Sequence, residues 1–242
     1  MDPALLQVTA VSKHFGGFTA LSNVSLQIAR GERFGLIGPN GSGKTTLINC
    51  VSGSLRNDGG SIRFNGEEVS RLPAYQRTRR GIARSFQIPR PFASMSLLEN
   101  LVVPLEFVVH RRSLHKADTR GEAMALLADI GLAAKADSPT SSLSQVELRK
   151  LELARAMAAQ PQLLISDEAM AGLAGAEVDE VLAILMKLNA GGITIIMIEH
   201  IMQAVMRFSQ RVVCLDAGQI ICEGTPGSIV QNPDVQRAYL GA

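Results

Sequence analysis

The chain has 242 residues, a formal net charge of +2, 4% aromatic residues and no Trp. That length allows one full core with room for a sub-domain. A near-neutral charge and sparse aromatics exclude a strongly basic nucleic-acid surface and a stacked-base platform.

Cys50, Cys214 and Cys222 stand in apolar or strand-like settings without metal-ligand spacing. They are expected to be reduced core residues of a cytosolic protein. Asp2-Pro3 follows Met1 where a signal peptide would have a basic region and an apolar run, so no signal peptide is expected. The longest apolar stretch, 97–109, contains Glu99, Asn100, Pro104 and Glu106 and cannot span a bilayer. Any membrane association is expected to go through another subunit.

Taken in order, 5–12 and 19–28 read as two alternating strands with Gly16-Gly17 as their turn. Phe15, just before that turn, fits either a core residue or a stacking platform for an adenine ring. Residues 33–37 read as a short buried strand. Next comes Gly38-Pro39-Asn40-Gly41-Ser42-Gly43-Lys44-Thr45-Thr46, which fits the phosphate-binding pattern G-x-x-x-x-G-K-[ST] and leads into a helix. The glycines let several N–H groups turn inward to phosphate oxygens, and the helix adds its positive N-terminal end. In that pattern Lys44 reaches the β- and γ-phosphates and the Thr45 hydroxyl is a Mg²⁺ ligand. A chance Gly-rich turn is the alternative; strand, glycines, Lys-Thr and helix together disfavour it.

Residues 61–64 with Asn65-Gly66 read as a further strand and tight turn. A helical pattern over 72–80 ends at Gly81, and 82–86 is a strand with Gln87 at its end. Residues 96–159 are mostly helical. Ser96-x-x-Glu99 is a capping box, 118–130 a helix stopped by Gly131, and a third helix follows Leu143-Ser144 and runs to Gln160. The βα alternation then returns, with strands at 162–166 and 193–198 around a helix at 176–188, a hairpin around Ala217-Gly218, and two short helices in the tail. The fold class expected is α/β: a P-loop, RecA-like core with a mainly parallel sheet (1–94 and 161–242), an N-terminal antiparallel β sub-domain, and an inserted helical sub-domain (95–160).

Asp167 and Glu168 end the apolar strand 162–166. At a strand's C-terminal end Asp167 can hold Mg²⁺ through its water shell, and Glu168 can orient or deprotonate water. An acidic strand end that caps a turn is the alternative, and a P-loop upstream favours the functional reading. His200 likewise follows an apolar strand, where it can donate to a γ-phosphate oxygen or simply cap a helix. Gln87 is a strand-end amide able to bind Mg²⁺ or position water, and equally an ordinary solvated glutamine. His14, His110 and His115 lack such a setting and are expected at the surface.

The set of Phe15, the P-loop, Gln87, Leu143-Ser144, Asp167-Glu168 and His200 resembles the ATP-binding subunits of ABC transporters over essentially the whole chain. More narrowly it resembles the branched-chain amino acid uptake branch. That likeness lies in Ile82-Ala83-Arg84-Ser85-Phe86-Gln87, Leu97-Leu98-Glu99-Asn100-Leu101, Met170-Ala171-Gly172-Leu173, Ile198-Glu199-His200, Glu223-Gly224-Thr225-Pro226 and the ending through Ala238-Tyr239-Leu240-Gly241. The resemblance implies ATP and Mg²⁺ as ligands and a peripheral subunit on the cytoplasmic face of the membrane. It implies permease subunits as partners, a second ATP-binding subunit (identical or different) and, indirectly, a solute-binding protein. Two subunits would sandwich two ATP molecules, each between one P-loop and the other subunit's signature around Ser144.

Four positions depart from the family pattern. The signature reads Leu143-Ser144-Gln145-Val146-Glu147, Ala169 replaces a usual proline, Ala174 a usual Asp or Asn, and Ile201 a usual Asp. At the signature, a β-branched Val146 is expected to add bulk against the phosphate. Glu147 is expected to repel it unless Mg²⁺ or a basic group intervenes. Two functions therefore stand: a transport ATPase subunit for amino acids or a related polar solute, and a nucleotide-gated regulatory subunit with weak hydrolysis. A soluble ABC protein of translation or DNA repair is disfavoured because the chain has neither a second nucleotide domain nor a long coiled-coil insertion. A P-loop kinase is disfavoured because no acceptor lid is visible.

Overall fold

A computed structural model describes residues 4–86, 88–110 and 118–240. Gln87 and His115 lie outside the described residues.

Two sheets carry the fold. β1 (Leu6–Phe15), β2 (Phe18–Ile28), β4 (Gly59–Phe64) and β5 (Glu67–Glu68) form an antiparallel sheet in the order β2-β1-β4-β5. Its tight turn uses Asn65 and Gly66, both with positive φ (52 and 78), the combination that Asn-Gly adopts at no steric penalty. The second sheet contains β3 (Arg33–Ile37), β6 (Ile82–Ser85), β7 (Leu163–Asp167), β8 (Thr194–Ile198), β9 (Arg211–Asp216) and β10 (Gln219–Gly224), in the order β10-β9-β3-β8-β7-β6. All pairings are parallel except β9 with β10. β7 and β8 are buried at every position, which is why they read as unbroken apolar runs. Parallel pairing brings the ends of β3, β6, β7 and β8 to one edge, the place where open α/β sheets bind ligands.

α1 (Lys44–Ser52) leaves β3 through the glycine loop. α2 (Ala74–Thr78) is shorter than the 72–80 pattern because Pro73 stands extended at its N-cap. Between β6 and β7 lie α3 (Leu97–Pro104), continued by a π-helical turn over Leu105–Val109, then α4 (Thr119–Asp129) and α5 (Gln145–Met157). Ser96 and Glu99 form the expected capping box. Leu97, Leu101, Leu127, Leu151 and Ala154 belong to an apolar cluster of this segment's own. α6 (Gly175–Ala190), α7 (Met202–Phe208), α8 (Pro226–Val230) and α9 (Pro233–Leu240) complete the chain. Cys50 and Cys214 are buried free thiols and Cys222 is half-buried. Burial pushes the first two to about 11, so neither is a thiolate at neutral pH. His14 is at the surface as expected. His110 is not: its side chain is 21% exposed and it faces Glu122 at 3.0 Å. The turn at 105–109 folds it back onto α4.

Arg77 of α2 holds α1 from behind. It is 1% exposed. Its Nη1 donates to the Cys50 and Val51 carbonyls at 2.6 and 2.9 Å, Nη2 to Ser70 O at 3.0 Å and Nε to Leu72 O at 2.9 Å. The first two are last-turn carbonyls of α1, which the helix itself leaves unpaired and whose partial negative charge favours a cation. Arg77→Met keeps the stem but strands these acceptors, and is expected to cost about 2–4 kcal/mol. Urea unfolding of the two proteins measures this directly; equal stabilities would contradict the capping role.

Candidate functional site

The loop between β3 and α1 is shaped by three glycines with positive φ: Gly38 (148), Gly41 (81) and Gly43 (103). Gly43 needs its missing side chain as well, since a Cβ there would lie 2.7 Å from the Ala20 carbonyl. Lys44, 6% exposed, turns back over the loop. Its Nζ donates to Gly38 O at 2.7 Å, Pro39 O at 2.9 Å and Ser42 Oγ at 3.4 Å. Burial pushes its ammonium down from the ordinary lysine value, and Glu168 opposes that shift. Asn40, Gly41, Ser42, Gly43, Lys44, Thr45 and Thr46 line one cleft together with Phe15, Phe18, Glu168 and His200. Phe15 is 50% exposed, so it is not a core residue; the Lys13 ammonium sits 5.5 Å from its ring centre. Phe18, opposite Phe15 across the β1–β2 turn, adds a second exposed ring that sequence reasoning missed.

Glu168 holds a left-handed backbone, φ 48, fixed by its N–H donating to Ile198 O at 2.9 Å. His200 Nε2 lies 2.7 Å from Glu168 Oε1. The ends of β7 and β8 therefore deliver an acid and an imidazole in contact. Asp167, one residue earlier, faces elsewhere. It lines a second cleft with Thr45, Asn49 and Arg84, and its Oδ2 accepts from Arg84 Nη2 at 2.5 Å. Arg84 Nη1 donates to Asn49 Oδ1 at 2.6 Å, so β6, β7 and α1 are tied at one point. Arg84 and Asn49 were not singled out as site residues from the sequence, because no local pattern marks a contact 83 residues apart.

The site's candidate metal donors are the Thr45 hydroxyl, the Asp167 carboxylate and the Gln87 amide, with Gln87 outside the described residues. Thr45 and Asp167 line one open cleft. Hard oxygen donors with room for water fit Mg²⁺ and not a thiophilic metal. No group of three or more His, Cys, Asp or Glu suited to a metal occurs among the described residues, so a bound ion would depend on further oxygens from ligand and water.

Ser144 lies away from this cleft, as N-cap of α5. Its Oγ accepts from the Glu147 N–H at 3.3 Å and Glu147 Oε2 accepts from the Ser144 N–H at 2.9 Å, a complete capping box. Val146 and Glu147 both have partners within this chain, and for Glu147 the partner is the basic group that the sequence reading left open. Val146 is half-buried and packs against the cluster containing Leu153 and Met170, so its bulk is directed inward. Glu147 is not a bare charge: Lys135 Nζ donates to both its oxygens at 2.6 and 2.8 Å, and that bond holds its carboxyl below the ordinary range.

Comparisons with known proteins show the family and the fold. A family model described as ABC transporter matches residues 21–171, and one described as branched-chain amino acid ATP-binding cassette transporter matches 219–242. The high-affinity branched-chain amino acid transport ATP-binding protein LivG of Salmonella typhimurium is 39% identical over 255 residues, covering 100% of this chain and 99% of its own. The crystal structure of the ADP conformation of an ATP-binding cassette from an ABC transporter superposes with a TM-score of 0.89 at 30% identity, covering 99% of this chain and 100% of that one. A dimeric cassette in a post-hydrolysis state bound to ADP and Pi gives a TM-score of 0.81 at 25% identity, over 91% and 98%.

Glu199 is the buried acid of the region, 1% exposed. It accepts from the Met170 N–H at 2.9 Å and joins the His200 turn to the segment after Glu168. Burial pushes its carboxyl up to about 7. A pKa raised on folding means that the folded state binds the proton more tightly. Stability is then full below about pH 4.5 and declines as pH rises towards 7, by roughly 3 kcal/mol in all. Glu199→Gln keeps an acceptor for Met170 without the titration. It is expected to flatten this part of the pH–stability curve and to stabilise the protein at pH 8. Urea unfolding between pH 5 and 8 tests this; identical curves for the two proteins would count against it.

Proposed function

Because the chain belongs to the ABC transporter family, we propose that it is the ATP-binding and ATP-hydrolysing subunit of an importer for branched-chain or related amino acids. The single observation that carries this is one cleft lined by the curled glycine loop, Lys44 and the Glu168–His200 pair. The loop amides and the N-terminus of α1 bind the triphosphate. The Lys44 ammonium exchanges its carbonyl partners for phosphate oxygens, which make stronger charge-assisted bonds. Phe15 stacks on the adenine ring.

Glu168 accepts the proton of a water whose oxygen attacks the γ-phosphorus. The bond from that phosphorus to the bridging oxygen breaks, leaving ADP and phosphate. His200, which orients the Glu168 carboxylate before ATP binds, turns its N–H to a γ-phosphate oxygen when ATP is present. Thr45, Asp167 and Gln87 would hold Mg²⁺, which when bound neutralises charge building on the phosphate oxygens. Ser144 and the start of α5 close the site of a second ATP-binding subunit. Permease subunits anchor the pair at the cytoplasmic face of the membrane, and a solute-binding protein supplies the cargo. No helix among the described residues is long and apolar enough to cross a membrane, which fits a peripheral place.

The regulatory alternative rests on an impaired signature. The Lys135–Glu147 pair and the inward Val146 favour a working one. Val146→Gly combined with Glu147→Gln is then expected to change ATPase activity of the assembled transporter less than twofold. A gain of tenfold or more would restore the regulatory reading. The site itself is tested by Lys44→Ala, expected to abolish ATP binding to the purified chain. Glu168→Gln should keep binding while lowering turnover by roughly 10²-fold or more. Tight ATP binding by Lys44→Ala, or full turnover by Glu168→Gln, would remove the assignment.

A further inference from the structure

The first glycine of the loop has a partner at the far end of the chain. Gly38 is buried, and its N–H donates to the Tyr239 hydroxyl at 2.8 Å, across 201 residues of sequence. On its other side the backbone has no slack: a Cβ on Gly38 would lie 2.1 Å from the Leu215 carbonyl. Tyr239 belongs to α9, which packs on α8 and β10. Val235 of the same helix shares an apolar cluster with Ile37, Cys214 and Ile229. Although 39% of Tyr239 remains exposed, burial pushes its phenol above the ordinary value, so the hydroxyl is neutral at physiological pH.

Gly38 is therefore held at both of its backbone polar groups, its N–H by Tyr239 and its C=O, one peptide further on, by Lys44. If Lys44 turns to a phosphate, its grip on Gly38 is lost and that of Tyr239 stays. We propose that Tyr239 is a positioning residue of the nucleotide loop. Its hydroxyl fixes the peptide that sets the direction of the phosphate-facing amides after it. The proposal rests on the reading of Gly38 to Thr46 as an ATP-binding loop.

The test uses the purified full chain as wild type, Tyr239→Phe and Lys44→Ala. Titration with MgATP is paired with thermal unfolding without nucleotide, and steady-state ATPase kinetics are measured in the assembled transporter. Tyr239→Phe removes one oxygen and keeps the ring. It is expected to weaken ATP binding and raise KM about three- to tenfold, the scale of one neutral hydrogen bond. kcat should stay within twofold and the nucleotide-free melting temperature should fall by only about 2–5 °C, the cost of one unpaired backbone N–H. Hydrogen exchange of the Gly38 amide should become about tenfold faster, a change that loss of general stability would not confine to one residue. Affinity within twofold of wild type overturns the proposal, as does a loss of affinity matched by a general loss of stability. Should Lys44→Ala bind ATP as tightly as wild type, the loop reading fails and the proposal with it. Should Lys44→Ala lose binding while Tyr239→Phe does not, only the role of Tyr239 fails.

Discussion

A buried ammonium must be given acceptors, and Lys44 takes them from its own loop. By donating to the carbonyls of Gly38 and Pro39 it draws the chain into a closed turn. The surrounding fold supports that turn. β3 lies between β8 and β9 in the larger sheet, so the loop springs from a strand held on both sides. Gly218 N–H donates to Ser42 O at 3.0 Å from the β9–β10 turn, and Arg77 closes the far end of α1. The loop is thus fixed at its root, its crest and the end of its helix.

The acids around this loop follow one rule: each is matched before any polyanion arrives. Asp167 is held by Arg84 and Glu168 by His200; Glu147, at the start of α5 and away from the loop, is held by Lys135. Glu199 is matched differently, by burial that favours its neutral form. A site meant for triphosphate can keep several carboxylates close by only if their charge is answered locally. Arg84 also competes with any cation for Asp167. Its tie to Asn49 on α1 makes that competition sensitive to where the nucleotide helix stands relative to β6.

The sequence was most legible where chemistry is local. The glycine loop, the strands ending at Asp167, Glu168 and His200, and the Ser96–Glu99 capping box all follow from short spacings, and the structure places them so. The Ser144–Glu147 capping box obeys the same S-x-x-E rule. It went unread because those residues were weighed against a family pattern and not against helix chemistry. What stayed hidden depends on distance along the chain. Nothing near Arg77 in the sequence marks its place at the end of α1, which packing alone gives. Lys135 answers Glu147 from a separate turn, and no periodicity announces the reach of Tyr239 to Gly38. The short α2 was misjudged because Pro73 overrode a helical pattern.

Glu168 keeps its carboxylate beside His200 only by standing in a left-handed backbone that a side chain disfavours. Glycine would sit there at lower energy, yet glycine carries no acid. The end of β7 is thus held out of its own preferred composition by about 1–2 kcal/mol. Natural selection for stability and selection for turnover pull this position in opposite directions. A lineage released from the need to cleave ATP would be free to let this residue drift towards glycine or asparagine. On the role proposed for Glu168, the identity of residue 168 in related chains would record whether hydrolysis has been kept.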